Sequence, residues 1–398
     1  MARAPRRSPG APAPSDAGRP DPAGPARESG TARIAVDLLG GDDAPAVVVD
    51  GALRAVRADP DLHLLLVGPT EVAAGVVDAL TPAQRTRITI RATRTAAGPT
   101  EHAPRADSTV RAAVCAVRDG AADALVSAGS TGATVSAAAL GFGRWPDVRR
   151  PALVATLPAV SGPVVLLDVG GSLEPRPATL ARHAVLGAAY AAVAHAVAAP
   201  RVGLLSVGTE AGKGDRPRRT ADPLLAATAL PGDARYVGLV EGYDVTAGVR
   251  ADVVVTDGFT GNILLKAIEG AYAMAGGPPA SGGAPRAAAL LGVAGTVVVC
   301  HGAATPDDVA SGIALAAHLW RRRATDQVRE QVALLPAGDS TDPERDDTPT
   351  RPAADRADAV AVTTGPAPVD PTVKNAPAAR HADHPPAYPG GTEAEVGT

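Results

Sequence analysis

The sequence predicts an α/β protein in which helices cover both faces of a mostly parallel sheet. Three observations lead to this prediction. Short apolar runs alternate with helical patterns, most of these runs are apolar at every position, and glycine with small polar residues follows many of them. Continuous apolar runs are typical of strands buried on both faces, and the alternation with helices favours parallel pairing through crossovers.

The predicted elements follow one another from Ala32 to about Arg323. We predict strands, in order, at ARIAVDLL, LHLLLVG, RITIRA, DALVSAG, ALVATL, PVVLLDV, RVGLLSV, DVVVTDG and TVVVC. The clearest helical patterns between them are Ala46 to Ala58, Thr109 to Asp119, Thr131 to Arg144, Pro177 to Val197 and Asn262 to Met274. We therefore divide the chain into a disordered tail (1–31), one α/β domain (32–323), and a helix end followed by a second disordered tail (324–398).

The amino-acid composition excludes several classes of protein. The 398 residues are 45% hydrophobic but only 2% aromatic, so the core must pack from small aliphatic side chains. The net charge of −4 gives no basic stripe, which argues against nucleic-acid binding. Two cysteines and eight histidines show no metal-binding spacing and no disulfide framework, so we expect no metal, no cofactor and a cytoplasmic location.

Small and polar residues are concentrated where the predicted strands end. These segments are DLLGGDDAP, SAGSTGA, LDVGGSLEP, SVGTEAGKGD, TDGFTGN and CHGAA. In open parallel sheets, ligands bind beyond the carboxyl ends of the strands. We therefore expect one extended, glycine-lined cleft at one edge of the sheet.

The segment SAGSTGAT is a candidate anion site. Gly129 and Gly132 bracket Ser130 and Thr131 just before a helix, whose free N–H groups and dipole attract phosphate or carboxylate. A plain strand-to-helix turn, with Ser130 or Thr131 as the N-cap, is the alternative.

The segment SVGTEAGKGD resembles a nucleotide-binding P-loop but fails its spacing, and Gly214 replaces the Ser or Thr that would hold magnesium. No GxGxxG opens a helix elsewhere. What remains is Lys213 on a glycine loop, either as a point charge for an anionic ligand or as a solvated side chain.

The segment TDGFTGN is the most informative. We expect Thr260 to cap the following helix and Asn262 to lie in its first turn, with its amide NH₂ aimed at an oxygen in the cleft. Asp257 would orient the loop through backbone N–H groups or hold Lys213 in place. The alternative makes Asn262 a local cap.

The sequence contains no evident nucleophile and base pair. There is no GxSxG elbow, and His301, after the last predicted strand, is either a general base or a structural histidine. The cleft is therefore predicted to act by positioning and electrostatics on a nucleophile that the substrate supplies.

Six segments together resemble the bacterial phosphate acyltransferases of phospholipid synthesis. They are ARIAVDLLGGDDAP, DALVSAGSTGA, RPALVATLP, VVLLDVG, PRVGLLSVGTEAGKG and ADVVVTDGFTGNILLKAIEG, in the family's order. The resemblance implies a Rossmann-like three-layer α/β/α fold similar to isocitrate dehydrogenases and phosphotransacetylases. It also implies a reaction in which inorganic phosphate attacks the thioester of a long-chain acyl carrier protein, giving acyl phosphate.

The resemblance also implies site residues. Lys213 matches the lysine of the family's GxExxKG loop and Asn262 the asparagine of its DGFxGN turn, and these are the expected catalytic residues. The expected substrate-binding residues are Asp37, Gly40, Gly41, Asp42, Ser127, Gly129, Ser130, Thr131, Gly132, Asp168, Gly170, Glu210, Asp257, Gly258, Gly261 and His301.

The chain departs from the family pattern in places. The family's lysine-rich stretch is reduced to Arg105, and its long helical arm is reduced to the short segment Ala271 to Ser281. The resemblance implies a homodimer that meets the inner face of the membrane, and the shortened arm argues against that membrane contact. Two alternatives stay open: a divergent, non-catalytic relative that binds acyl groups or a partner, and a phosphotransacetylase that uses coenzyme A.

Overall fold

A computed structural model describes residues 30–93, 108–277 and 286–335. All of them belong to one unit, Met1–Thr341, and the second unit, Asp342–Thr398, lies outside the described residues. Three predicted features also lie outside the described residues. They are the two disordered tails except for their inner ends, the stretch around Arg105, and the end of the shortened arm.

The described residues form strands and helices in regular alternation. The strands are β1 (Ala32–Asp37), β2 (Leu62–Gly68), β3 (Ile88–Ala92), β4 (Ala124–Ser127), β5 (Ala152–Ala159), β6 (Gly162–Leu167), β7 (Arg201–Leu205), β8 (Arg235–Val240), β9 (Val253–Val255), β10 (Ala287–Leu291) and β11 (Thr296–Cys300). The helices are α1 (Ala46–Ala58), α2 (Thr70–Asp78), α3 (Pro82–Arg85), α4 (Thr109–Arg118), α5 (Thr131–Phe142), α6 (Pro177–His195), α7 (Arg216–Ala227), α8 (Gly242–Ala247), α9 (Gly258–Met274), α10 (Pro306–Arg321) and α11 (Ala324–Ala333).

Every predicted strand is present, and two further strands were not predicted. Strand β8 lies at the edge of the sheet and is only partly buried, so its sequence RYVGLV lacks a continuous apolar run. Strand β10 reads AAALL, and alanine has a low propensity for strands. Burial on both faces makes β10 a strand in spite of that propensity.

The strands form one open sheet in the order β3-β2-β1-β4-β11-β10-β5-β6-β9-β7-β8. Most neighbours are parallel, as predicted. The exceptions lie in the middle, where β10 is antiparallel to β11 and β5, and β5 is antiparallel to β6. Because three antiparallel pairings separate β11 from β6, the strands β6, β9, β7 and β8 run opposite to β1, β4 and β11.

Two apolar clusters cover the two faces of the sheet. Alternate residues of β1 point to different faces, so Ile34 and Val36 join one cluster and Ala35 joins the other. Helices α1, α6 and α10 pack in the first cluster, and α4, α5 and α9 pack in the second. The helices that begin at the glycine loops after β4 and β9 therefore lie on the same face. Over the described ranges no helix combines the length and apolarity needed to cross a bilayer.

Candidate active site

The glycine-rich loops at the strand ends fall into two groups. The first group follows β1, β4 and β11, and the second follows β6, β9 and β7. Because the strand direction reverses between β11 and β6, the two groups leave the sheet at opposite edges. The prediction that all six strand ends line a single edge is therefore wrong, and any meeting of the groups depends on the helices of one face.

Asp37 and Ser127 form the centre of the first group. The Ser127 hydroxyl donates a hydrogen bond to the Asp37 carboxylate at 2.8 Å, and both side chains are buried. Burial raises the pKa of Asp37 against the opposing effect of its hydrogen bonds. A Cβ atom on Gly40 would lie 2.7 Å from the backbone nitrogen of Gly129, so this close backbone approach requires glycine.

The first group also includes the loop after β11. The backbone N–H of Asp42 donates to the carbonyl of Gly302 at 2.8 Å. Gly41 has a φ of 124°, a conformation that favours glycine. The predicted Gly-Gly-Asp turn therefore lies against the residue that follows His301.

The loop after β4 begins α5. The Ser130 hydroxyl accepts a hydrogen bond from the backbone N–H of Ala133 and caps the helix, as the turn alternative predicted. Gly132 is exposed. Thr131, the first residue of the helix, lines the pocket described below.

Asp168 anchors the loop after β6. Its carboxylate accepts hydrogen bonds of 2.5 to 3.1 Å from the backbone N–H groups of Leu153, Gly170, Gly171 and Ser172 and from the Ser172 hydroxyl. The side chain is fully buried. Asp168 therefore holds this loop in shape, and its assignment as a substrate-binding residue stays a prediction.

Helix α9 begins earlier than predicted. Its first residue is Gly258, and its N-cap is Asp257, whose carboxylate accepts from the backbone N–H of Thr260 at 2.8 Å. The expectation that Thr260 caps this helix is wrong. Asn262 consequently lies in the second turn rather than the first.

The two glycines of TDGFTGN bring α9 onto the Asp168 loop. A Cβ atom on Gly261 would lie 2.0 Å from the carbonyl oxygen of Asp168, and one on Gly258 would lie 2.7 Å from that of Ser172. The backbone N–H of Gly258 also donates to the Ser172 carbonyl at 2.8 Å. Side chains larger than hydrogen would separate the helix from the loop.

Asn262 lies where the two groups of loops meet. Its Nδ2 donates to the carbonyl oxygen of Val169 at 3.0 Å, so it is not a local cap. A Cβ atom on Gly170 would lie 3.5 Å from Nδ2 of Asn262 and 3.7 Å from Cγ2 of Thr131. The start of α5, from the first group, therefore reaches the second group at this point.

Arg218, in the first turns of α7, ties the second group together. Its guanidinium pairs with Asp257 at 2.6 Å and Asp215 at 2.7 Å, and its Nε donates to the Leu205 carbonyl. Burial acts to raise the pKa of Asp257, but hydrogen bonds from Thr260 and the pairing with Arg218 outweigh burial and lower it. The loop after β7 and the start of α9 are thus joined through one cation.

Lys213 lies on the exposed loop after β7. Its backbone N–H donates to the Glu210 carbonyl at 3.1 Å, and its stem passes Gly208, where a Cβ atom would lie 3.3 Å from Cγ of Lys213. Of the two roles predicted for Asp257, the structure shows the one toward the backbone, since its carboxylate accepts from the N–H of Thr260. Its cation partner is Arg218 rather than Lys213. Because β7 and β9 are adjacent and parallel, the lysine loop and α9 leave the same edge of the sheet.

A pocket open to solvent lies between α5, α9 and the sheet. Its lining combines polar side chains with a larger apolar surface. It is lined by Thr131, Leu153, Ala155, Thr156, Leu157, Pro158, Val169, Asn262, Leu265, Glu269, Tyr272, Arg286, Ala287, Ala288, Val299, Cys300 and His301.

His301 lines this pocket beside a carboxylate. Its Nε2 lies 3.2 Å from Oε1 of Glu269, and both side chains are partly exposed. The pair connects the end of β11 with the middle of α9. His301 therefore belongs to the same pocket as Asn262 although it follows a strand of the first group.

Most of the predicted residues lie in one or the other of the two groups of loops. Three of them line the pocket: Thr131, Asn262 and His301. Sequence reasoning missed Arg218, Glu269 and Ser172. Arg218 lies within a helix of ordinary surface composition, and only its neighbours in space distinguish it from other arginines.

Comparison with known proteins gives consistent results. Residues 32–277 match the family model described as "Fatty acid synthesis protein". The chain is 42% identical over 330 residues to the phosphate acyltransferase of Thermobifida fusca, covering 75% of this chain and 91% of that protein. It is 38% identical over 335 residues to the phosphate acyltransferase of Phenylobacterium zucineum, covering 76% and 94%.

Solved structures share the fold. A phosphotransacetylase from Staphylococcus aureus aligns with a TM-score of 0.50 at 19% identity, covering 74% of this chain and 94% of that one. A phosphotransacetylase from Streptococcus pyogenes aligns with a TM-score of 0.51 at 19% identity over the same shares. At this identity the likeness concerns the architecture alone.

Proposed function

The chain belongs to the bacterial phosphate acyltransferase family, and from this premise we propose that it transfers a long-chain acyl group from acyl carrier protein to inorganic phosphate. A phosphate oxygen attacks the thioester carbonyl, the carbon–sulfur bond breaks, and the proton of the phosphate ends on the carrier thiol. The products are acyl phosphate, a precursor for phospholipid synthesis, and the free carrier.

The position of Asn262 is the observation that carries this proposal. Its amide group lies at the pocket, between the Val169 carbonyl and the start of α5. An amide N–H beside the reacting carbonyl stabilises the oxyanion of the tetrahedral intermediate, and removal of one such donor costs about 2.7–4 kcal/mol in other enzymes. We assign this role to Asn262.

Lys213 would supply the positive charge. Its ammonium extends from a loop at the same edge as α9, and Arg218 holds the base of that loop beside the helix start. Phosphate is a dianion near neutral pH and needs a cation to approach a polarised thioester. Because phosphate is itself the nucleophile, the reaction requires no acylated enzyme.

We propose two partners, the acyl carrier protein and a second copy of the chain. The proposed location is the cytoplasm. The shortened segment Ala271 to Ser281, which begins in the last turn of α9, stands where the family has its helical arm. We therefore propose that membrane contact is weaker than in relatives with the full arm.

The test is an assay of acyl phosphate formation from palmitoyl-acyl carrier protein and phosphate, with palmitoyl-coenzyme A in parallel. We expect Asn262→Ala to lower kcat by about 10²–10³-fold, as loss of one oxyanion donor does. Lys213→Ala should mainly raise the KM for phosphate. Lys266→Ala, an exposed lysine on α9, is the matched control and should keep wild-type turnover.

Three results would contradict the proposal. Turnover unaffected by either substitution would exclude these residue roles, and a trapped acylated protein would exclude direct attack. Turnover of palmitoyl-coenzyme A without turnover of palmitoyl-acyl carrier protein would mean that coenzyme A, and not the carrier, brings the acyl group.

A further inference from the structure

We propose that the pocket between α5, α9 and the sheet holds the acyl chain of the substrate, and that Tyr272 closes its far end and limits the chain length. This inference rests on the proposed function, since it names the part of the substrate that the pocket receives.

One face of α9 lines the whole length of the pocket. Asn262, Leu265, Glu269 and Tyr272 are spaced by three, four and three residues, so they follow one another along the same side of the helix. The reacting group and the tyrosine therefore lie at opposite ends of one continuous wall.

The floor of the pocket is apolar and buried. It is formed by Leu153 and Leu157 of β5, Ala288 of β10, Val299 of β11 and Leu265 of α9, each less than 9% exposed. An aliphatic chain would gain contact with all of these surfaces.

The charged groups of the pocket lie at its solvent side. Glu269 and His301 pair with each other and remain 26% and 29% exposed. Arg286 is exposed as well. A chain on the floor would pass beneath these groups, so they need not lose their hydration when it binds.

Two elements give the length of the pocket independently. Asn262 and Tyr272 are ten residues apart on α9, which is about 15 Å at 1.5 Å per residue. Leu153, which lies beside Val169, and Pro158, which contacts Tyr272, are five residues apart on β5, which is about 17 Å at 3.3 Å per residue. Three bonds of an extended chain cover about 3.3–3.6 Å, so about thirteen to fifteen bonds, which join about fourteen to sixteen carbons, span this distance.

Tyr272 is fixed at the end of this path. Its hydroxyl donates a hydrogen bond to the Pro158 carbonyl at 2.5 Å. Burial raises the pKa of Tyr272, which keeps the phenol a neutral donor. The ring thus bridges α9 and the end of β5, where a longer chain would have to displace it.

The experiment is a calorimetric titration of the full-length protein with acyl thioesters of N-acetylcysteamine, from eight to twenty carbons, without phosphate. In the wild type we expect affinity to rise by up to about fourfold per methylene until about fourteen to sixteen carbons and then to level off. In Tyr272→Ala the rise should continue. The ratio of twenty-carbon to sixteen-carbon affinity should exceed the wild-type ratio by about fifteenfold, the gain from about two more buried methylenes.

Two variants serve as controls. Tyr272→Phe keeps the ring and should keep the wild-type length profile. Met274→Ala changes an exposed residue of the same helix and should also keep it. A similar melting temperature for all variants shows that the changes are local.

The result that overturns the inference is a length profile that is the same in Tyr272→Ala and the wild type, or no binding of any thioester. Because the titration contains no phosphate, this result is independent of the acyl phosphate assay. Binding with the expected profile but no turnover would count against the proposed reaction and leave the chain site supported.

Discussion

The strand ends at the two edges of the sheet each carry an aspartate, but the electrostatics around the two carboxyl groups differ. At the end of β1, Asp37 is buried against the Ser127 hydroxyl, and burial raises its pKa. After β9, Asp257 pairs with Arg218, and its pKa is lowered. An aspartate at the end of a strand therefore has two uses in this protein. One packs a turn around a carboxyl group, and the other holds a cation beside the candidate active site.

The largest expected effect separates these two uses. Arg218→Met leaves Asp257 and Asp215 without their cation and should lower the free energy of unfolding by up to about 3–5 kcal/mol, the cost of losing one partner of a buried pair, because Arg218 and Asp257 are only 11% and 15% exposed. Ser127→Ala removes a hydroxyl that donates to Asp37 and accepts from the backbone N–H of Gly129 at the other edge, and should cost about 1–3 kcal/mol. Urea unfolding of both variants measures the difference.

Arg218→Lys sharpens this comparison. It keeps the charge but loses the planar fork that reaches both the Leu205 carbonyl and Asp257. Its unfolding free energy should fall between the wild type and Arg218→Met. Equal losses for Arg218→Met and Ser127→Ala would contradict the distinction between the two edges.

Glycine substitutions give the next effect in size. A Cβ atom on Gly261 would meet the Asp168 carbonyl at 2.0 Å, so Gly261→Ala should cost about 1–3 kcal/mol and shift Asn262. Gly270→Ala, in the same helix with no atom within 4 Å of the added carbon, should stabilise the protein by up to about 1 kcal/mol. Thermal unfolding checks both, and a neutral Gly261→Ala would show that α9 does not rest on the loop.

The smallest effect is the response to pH, which should have opposite signs at the two edges. The lowered pKa of Asp257 gives stability that is present above the ordinary value of 3.8 and is lost as the pH falls below it. The raised pKa of Asp37 gives the reverse: stability is present below 3.8 and is lost as the pH rises toward the folded-state pKa.

Unfolding of Asp257→Asn and Asp37→Asn between pH 3 and pH 7 measures this difference. Relative to the wild type, Asp257→Asn should be least stable at neutral pH and recover in acid. Asp37→Asn should compare best with the wild type at neutral pH and lose that advantage in acid. The same sign for both variants would show that the two carboxyl groups have similar environments.

Local sequence was sufficient for most of the strands and for the residues that end them. Apolar runs such as VVLL and VVV report burial directly, because a strand inside a two-faced sheet has no polar side. The glycines after them report close backbone approach, which Gly40 and Gly261 confirm. The strand-end segments indicated Lys213 and Asn262 as candidates, and the family resemblance assigned them catalytic roles, which remain predictions.

The sequence by itself thus determined the α/β class, the positions of the buried strands and the family. Tertiary structure decided the direction of each half of the sheet, the start of α9 at Gly258 and the pairing of Asp257 with Arg218. The physical reason is the distance along the chain between the residues that interact. Burial and turn geometry are properties of a few consecutive residues, whereas strand direction depends on pairing with β10, whose alanine-rich sequence gives little local signal. Ion pairing likewise depends on residues that are far apart in the chain and adjacent only in the folded protein.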